Sequence, residues 1–213
     1  MFTRAVIVLL LVVFASAVAP ARSTTTFIGI STHVGNDNVN LREVNASGQR
    51  FYLNKATTTF CPKGMPKVGC SQCRFPLKLF CPLLFLIFMF SDGNATVFAS
   101  NGSGTLFLYA AVPGGQQVYV ASGGALGYTV AHSGNVPQDS QRATFNYTPQ
   151  ENMNGVGTLT FDKQDFAACL TGKEGEYQVY AWIPKVNGNL RTNCTSIRIR
   201  TVRYTEAAAW SYA

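Results

Sequence analysis

The 213-residue chain is long enough for one domain of ordinary size and too short for two. Charged residues make up 13% and hydrophobic ones 47%, with 19 glycines, which excludes a disordered polar chain and favours a turn-rich all-β protein. The formal charge of +7 becomes +6 when Arg4 leaves with the leader described next (16 basic against 10 acidic residues). This excess is not clustered, which excludes a nucleic-acid stripe and is compatible with an acidic glycan or an anionic wall surface.

Residues 1–19 read as a secretory signal, with Arg4 as the positive start, residues 5–14 as the apolar run and Ala15-Ser16-Ala17 or Ala17-Val18-Ala19 as the cleavage site. The run is shorter than the ~18 to 20 residues that a membrane span needs. A single β-domain is expected over residues 20–204, followed by a small, loosely held tail at 205–213.

The first predicted strand is Phe27-Ile28-Gly29-Ile30-Ser31, and residues 39–44 follow it. A turn is expected at 45–48, and then Phe51 and Leu53 alternate with Arg50, Tyr52 and Asn54, which puts the phenylalanine and leucine inward. Residues 61–70 look like a loop closed by a short disulfide between Cys61 and Cys70. An oxidising route makes disulfides the default for the six cysteines, so Cys70-Ser71-Gln72-Cys73 is read as structural rather than as a zinc or redox motif.

Residues 75–90, FPLKLFCPLLFLIFMF, break the rhythm. They show neither period 2 nor period 3.6, their uninterrupted apolar part is short for a membrane helix, and Pro82 interrupts it, so stable membrane insertion is not expected. Phe, Leu, Pro and Cys have mostly pyrimidine-rich codons, and Phe90-Ser91 can be encoded with the AG of a splice acceptor; the insertion at 71–90 is therefore read as translated intron. Transcript sequencing across codons 70–92 decides this, since an uninterrupted mature message would sink the idea. If the run is intron, Cys73 and Cys81 drop out, leaving Cys61 with Cys70 and Cys169 with Cys194 as natural pairs.

Residues 96–130 form a predicted meander of four antiparallel strands. Its gaps are Asn101-Gly102-Ser103-Gly104, Pro113-Gly114-Gly115 and Gly123-Gly124, each built of residues that tolerate positive φ or preset a turn. Leu106 and Leu108 oppose Phe107 and Tyr109, so this strand is expected to be central. Residues 131–142 are a polar loop. Phe145 and Tyr147 mark a strand; Leu159 with Phe161 and residues 166–170 form a hairpin over 162–165. Tyr177, Val179, Ala181 and Ile183 share one face, with Tyr180 and Trp182 on the other, and Ile197 and Ile199 point inward between Arg198 and Arg200. About ten to twelve strands without a helix mean an antiparallel β-sandwich or barrel, with a β-trefoil as the alternative.

Five Asn-x-Ser/Thr sequons occur, at Asn45, Asn94, Asn101, Asn146 and Asn193. The first four are the N-glycosylation candidates, while Cys194 inside the Asn193 sequon counts against that one.

The strings FIGISTHVG, ATVFASNGSGTLFLYAA, QQVYVASGGALGYTVAHS, GTLTF, FAAC and EYQVYAW, with the last cysteine at Cys194, resemble the fungal secreted family of PhiA-type cell wall proteins. The resemblance covers most of the mature chain except 71–90. It implies an extracellular or wall location in a filamentous fungus, a role in conidiophore or wall development, and antigenicity, since some relatives are described as IgE-binding proteins. It also implies a shared disulfide between Cys169 and Cys194, and it carries over no catalytic residue.

Read on their own chemistry, the candidate sites are thin. His132, Ser133 and Asp139 make a triad only on paper, and His33 beside Asp37 is too little for a metal. Asp162, Asp165, Glu174 and Glu176 are the richest acidic region, yet they fall at predicted turns where solvated carboxylates belong. Tyr119, Tyr128, Tyr180 and Trp182 are available for stacking on sugars. The expectation is a secreted, glycosylated, non-enzymatic wall or surface protein with a structural or developmental role, without cofactor, whose partners are wall polysaccharide or wall proteins. A lectin-like module and a wall-polysaccharide hydrolase are the alternatives, and the ligand-binding residues are unassigned.

Overall fold

The computed structural model describes residues 24–62, 95–149, 156–183, 193–205 and 209–213. The signal sequence, Cys70, the 71–90 insertion and Asn94 lie outside these residues. Among the described residues there are fifteen strands and no helix: β1 (Thr25–Thr32), β2 (Arg42–Glu43), β3 (Asn45–Ser47), β4 (Arg50–Leu53), β5 (Thr59–Phe60), β6 (Val97–Ser100), β7 (Leu106–Leu108), β8 (Gln116–Val120), β9 (Leu126–Tyr128), β10 (Phe145–Thr148), β11 (Gly157–Phe161), β12 (Phe166–Leu170), β13 (Tyr177–Ala181), β14 (Cys194–Arg203) and β15 (Ser211–Tyr212).

The pairings close on themselves. From β1 the ladder passes through β14, β12, β13, β4, β9, β8, β7 and β6 and returns to β1, a barrel-like ring of nine antiparallel strands. Of the architectures expected from the sequence, the barrel is the one observed. The expected meander is present as β6 to β9, and β10 with β11 branches from β14.

Alternation sends one side chain in two into the ring. Phe51, Leu53, Val179, Ala181, Ile197 and Ile199 are buried as expected, and Leu106 and Leu108 join them. The aromatic centre is a run of rings: Phe27 stacks on Phe98, its register partner across the β1/β6 pair, Phe98 on Phe51, and Phe51 meets Tyr128 edge-on at 5.3 Å.

Four local expectations change. Residues 39–44 narrow to β2, because the turn at 36–40 tucks Val39 into the core and Leu41 takes a positive φ. The turn expected at 45–48 is instead β3 followed by a two-residue reversal at Gly48-Gln49, both at positive φ, as a tight hairpin demands. The reversal at Asp162-Lys163 exists, closed by a single bridge of Phe161 with Gln164, but β11 and β12 form no ladder with each other, and ten-residue β14 pairs with both.

The expected loose tail is also corrected for residues 209–213. Ala111 and Val112 N–H groups bond the carbonyls of Ala209 and Trp210, and Tyr212, 3% exposed, receives the Val97 N–H on its hydroxyl. Gln116, fully buried on the inward side of β8, holds this segment: its Oε1 accepts the Tyr212 N–H at 2.7 Å, and its Nε2 donates to the carbonyls of Tyr212 and Thr129. The segment stays because its backbone groups find partners inside the protein rather than in water.

Candidate functional site

The alternation that buries Phe51 and Leu53 turns Arg50 and Tyr52 outward. On the neighbouring strand it turns Gln178 and Tyr180 outward, with Gln178 directly opposite Tyr52. On the other side Arg50 faces Gly127 of β9, which in turn faces Tyr119 of β8. Gly127 contributes no side chain, so the Tyr119 ring and the Arg50 guanidinium lie across it; a Cβ there would stand 2.8 Å from Tyr119 Cζ and 2.9 Å from Arg50 Nη1. Arg50 Nη1 donates to the Tyr119 hydroxyl at 3.0 Å and to the Gln49 carbonyl at 3.2 Å. The ammonium of Lys55 sits 3.9 Å from the centre of the Tyr52 ring, a cation–π contact.

Two open depressions flank this face. One, of about 530 Å³, is bordered by Gln49, Arg50, Tyr119, Ser133, Asn135 and Pro137. The other, of about 480 Å³, is bordered by Tyr52, Lys55, Lys173, Glu176, Gln178 and Tyr180. Burial raises the Tyr180 hydroxyl above its ordinary pKa, Arg50 opposes that rise and Tyr52 adds to it, so the phenol is neutral at ordinary pH and can both donate and accept. Among the described residues no carboxylate pairs with Arg50 or Lys55; the ion pair of Arg198 with Asp165 lies elsewhere. Rings, cations and amides of this kind suit contact with sugars.

Of the aromatics expected to meet sugars, Tyr180 and Trp182 are half-exposed, Tyr119 is buried with its hydroxyl on Arg50, and Tyr128 is in the core with its hydroxyl on the Ala213 carbonyl. Tyr128 is thereby removed from the candidates. Tyr52 was missed as a candidate, although its alternation with Phe51 and Leu53 already placed it outward.

His132 and Asp139 are exposed turn residues at positive φ, and no hydrogen bond joins either of them to Ser133. His33 turns its Nδ1 to the Ser196 carbonyl at 2.6 Å rather than to Asp37. Asp165 precedes β12, whereas Glu174 and Glu176 follow it, so the two halves of the acidic region stand at opposite ends of a five-residue strand. That is about 17 Å at the usual rise, wider than a pair of glycosidase carboxyls. Asp162 is exposed in its turn.

Cys169 and Cys194 form a disulfide, as the family resemblance implies, directly across the β12/β14 ladder with a Cα separation of 4.0 Å. The bond from Leu170 N–H to the Asn193 carbonyl makes the adjacent pair hydrogen-bonded, so the cysteines occupy the closer, non-hydrogen-bonded type. Cys61 is also disulfide-bonded. Asn101 is exposed at the β6/β7 turn, and Asn146 is exposed on β10 at the margin of the sheet. Asn45 is half-buried in β3 with its Oδ1 accepting from the Thr57 hydroxyl.

An uncharacterized secreted protein of Arthroderma benhamiae is 29% identical over 210 residues, covering 96% of this chain and 95% of that protein. No solved structure matches. A family profile described as "PhiA-like secreted protein" matches residues 89–213, more than half of the chain. The chain belongs to this PhiA-like family and is a secreted fungal protein.

Proposed function

We propose that this protein is a non-enzymatic component of the fungal cell wall or cell surface, with a structural or developmental role of the conidiation type, which holds wall polysaccharide through the outward face of β4. The observation that carries the reading is the grouping of Tyr52, Tyr180, Arg50 and Lys55 on one sheet face, half-exposed and flanked by two depressions. Such a face offers stacking and hydrogen bonds but no acid and base poised across a bond. N-glycans on Asn101 and Asn146, both exposed, fit the same extracellular setting.

The test is fractionation of the fungus combined with a pull-down on purified wall polysaccharides. Wall association of the native protein, weakened by Tyr180→Ala, is expected; a protein found wholly inside the cell would overturn the reading. A lectin-like module is the second reading, favoured by the depressions on either side of β4. A glycan array of short free oligosaccharides combined with the fractionation separates the two, since tight binding to one short oligosaccharide without retention in the wall fraction favours the module.

A further inference from the structure

Resting on that proposed contact with wall polysaccharide, we infer that the β4 face is built for an acidic one, a polymer carrying uronic-acid units, with Arg50 as the residue that reads the carboxylate. Arg50 carries five N–H groups, and only some of them find partners within the protein. Nη1 spends its two on neutral oxygens, the Gln49 carbonyl and the Tyr119 hydroxyl. Among the described residues Nε and Nη2 have no partner. These two nitrogens form the side edge of the guanidinium, the fork that accepts a carboxylate through two parallel bonds.

The fork is held rather than free. Tyr119 anchors Nη1, and Gly127 provides a floor with no side chain, on which the guanidinium lies. A group fixed in this way loses little freedom on binding. Tyr180 and Arg50 stand two residues beyond the facing pair Gln178 and Tyr52 on neighbouring strands, both on the outward face, and Arg50 lowers the proton affinity of the Tyr180 hydroxyl, so a sugar lying over Tyr180 would turn a carboxylate on its own ring towards Arg50. A phosphate joining two sugars would fall between rings instead, which is why a uronate is favoured.

The charge around the fork agrees. Lys55 and Lys173 line the neighbouring depression without a carboxylate partner among the described residues. Glu176, which also borders it, takes the Thr171 hydroxyl on its Oε1 and shares its end with Lys173. Lys55, whose ammonium lies over the Tyr52 ring two residues along β4 from Arg50, adds a second cation to the same face.

The experiment titrates the purified secreted protein with polygalacturonate, a neutral β-glucan and dextran sulfate, for the wild type and for Arg50→Gln, Arg50→Lys and Arg198→Gln. Saturable binding of polygalacturonate is expected, weakened about tenfold or more by Arg50→Gln and nearly as much by Arg50→Lys, which keeps the charge but not the fork. Arg198→Gln, on another strand, is expected to change nothing, and near-ultraviolet circular dichroism checks that each variant is folded. Equal affinity for the neutral glucan, unchanged by Arg50→Gln, would overturn this inference and leave the wall-polysaccharide reading standing. Failure to bind any glycan would remove both. Dextran sulfate binding as tightly as polygalacturonate, with Arg50 and Arg198 variants equally impaired, would reduce the face to unspecific charge and overturn the inference as well.

Discussion

Replacing Gln116 by leucine tests how much the closing segment at 209–213 contributes to the fold. The substitution puts an apolar side chain of similar bulk in place of the amide at a fully buried position and removes three hydrogen bonds, two of them to Tyr212 and one to the Thr129 carbonyl. At about 1 kcal/mol net for each bond the loss is about 3 kcal/mol, a large share of the ~5 to 15 kcal/mol that holds a typical domain together. If the segment stays in place, the Tyr212 N–H and carbonyl are left without partners and the cost rises further. If it lifts away, Tyr212 is uncovered and the carbonyls bonded by Ala111 and Val112 are lost. Urea unfolding followed by tryptophan fluorescence reads the first quantity, with Trp210 inside the segment as one of only two tryptophans. Hydrogen exchange at residues 111 and 112 reads the second. A Gln116→Leu protein that unfolds within about 0.5 kcal/mol of the wild type, with exchange at 111 and 112 unchanged, would refute the reasoning, because such a change is no more than an ordinary surface substitution causes.

Three further outcomes are expected. The double replacement Cys169→Ala/Cys194→Ala should lower stability by about 2 to 5 kcal/mol in urea, while a reductant should act on the wild type in the same direction. Gly127→Ala should cost about 1 to 3 kcal/mol by forcing the Tyr119 ring or the Arg50 guanidinium off its floor; adding Tyr119→Ala should recover part of that, and strict additivity of the two changes would count against the close approach. Burial pushes the hydroxyls of Tyr128 and Tyr212 up to about 12, above the value near 10 expected in the unfolded chain. Their contribution is therefore complete below pH 10 and is lost as pH rises from 10 towards 12. Stability that stays flat across that window, measured with absorbance at 295 nm to follow the phenols, would contradict this.

What the sequence could reveal followed the range of the interactions. Period-two alternation exposed the inward faces of β4, β13 and β14, and the glycine-bearing turns of the 96–130 meander gave their own positions, because both signals lie within a few residues. The same alternation held Tyr52 and Arg50 on the outward face, so half of the candidate site was readable. Gly127 was not, since a glycine inside a strand is silent about a tyrosine eight residues earlier and an arginine 77 residues earlier that lie over it. Gln116 was equally opaque: an amide among inward valines makes sense only beside Tyr212, 96 residues away. Residues 205–209 carry mostly small side chains and the segment to 213 shows no periodicity, so it reads as a loose end despite Trp210 and Tyr212, whereas the last five residues are held by backbone bonds that composition does not encode. The sugar-binding candidate Tyr128 failed for the opposite reason, being a large ring that the core took up.

The meeting of β1 with β14 sets a timetable for how this protein can come to exist. Phe27 waits for Arg203, 176 residues later, before the ring can shut. Contacts so distant in sequence fold slowly, because the loop must be closed before it is rewarded. While the chain is being made, the edge of β1 that will meet β14 has no partner, and it becomes competent only when nearly the whole sequence is available. For a secreted protein this delay is useful: an unclosed chain threads through a membrane pore, and the barrel then completes itself on the far side, in the compartment where Cys169 and Cys194 can be oxidised.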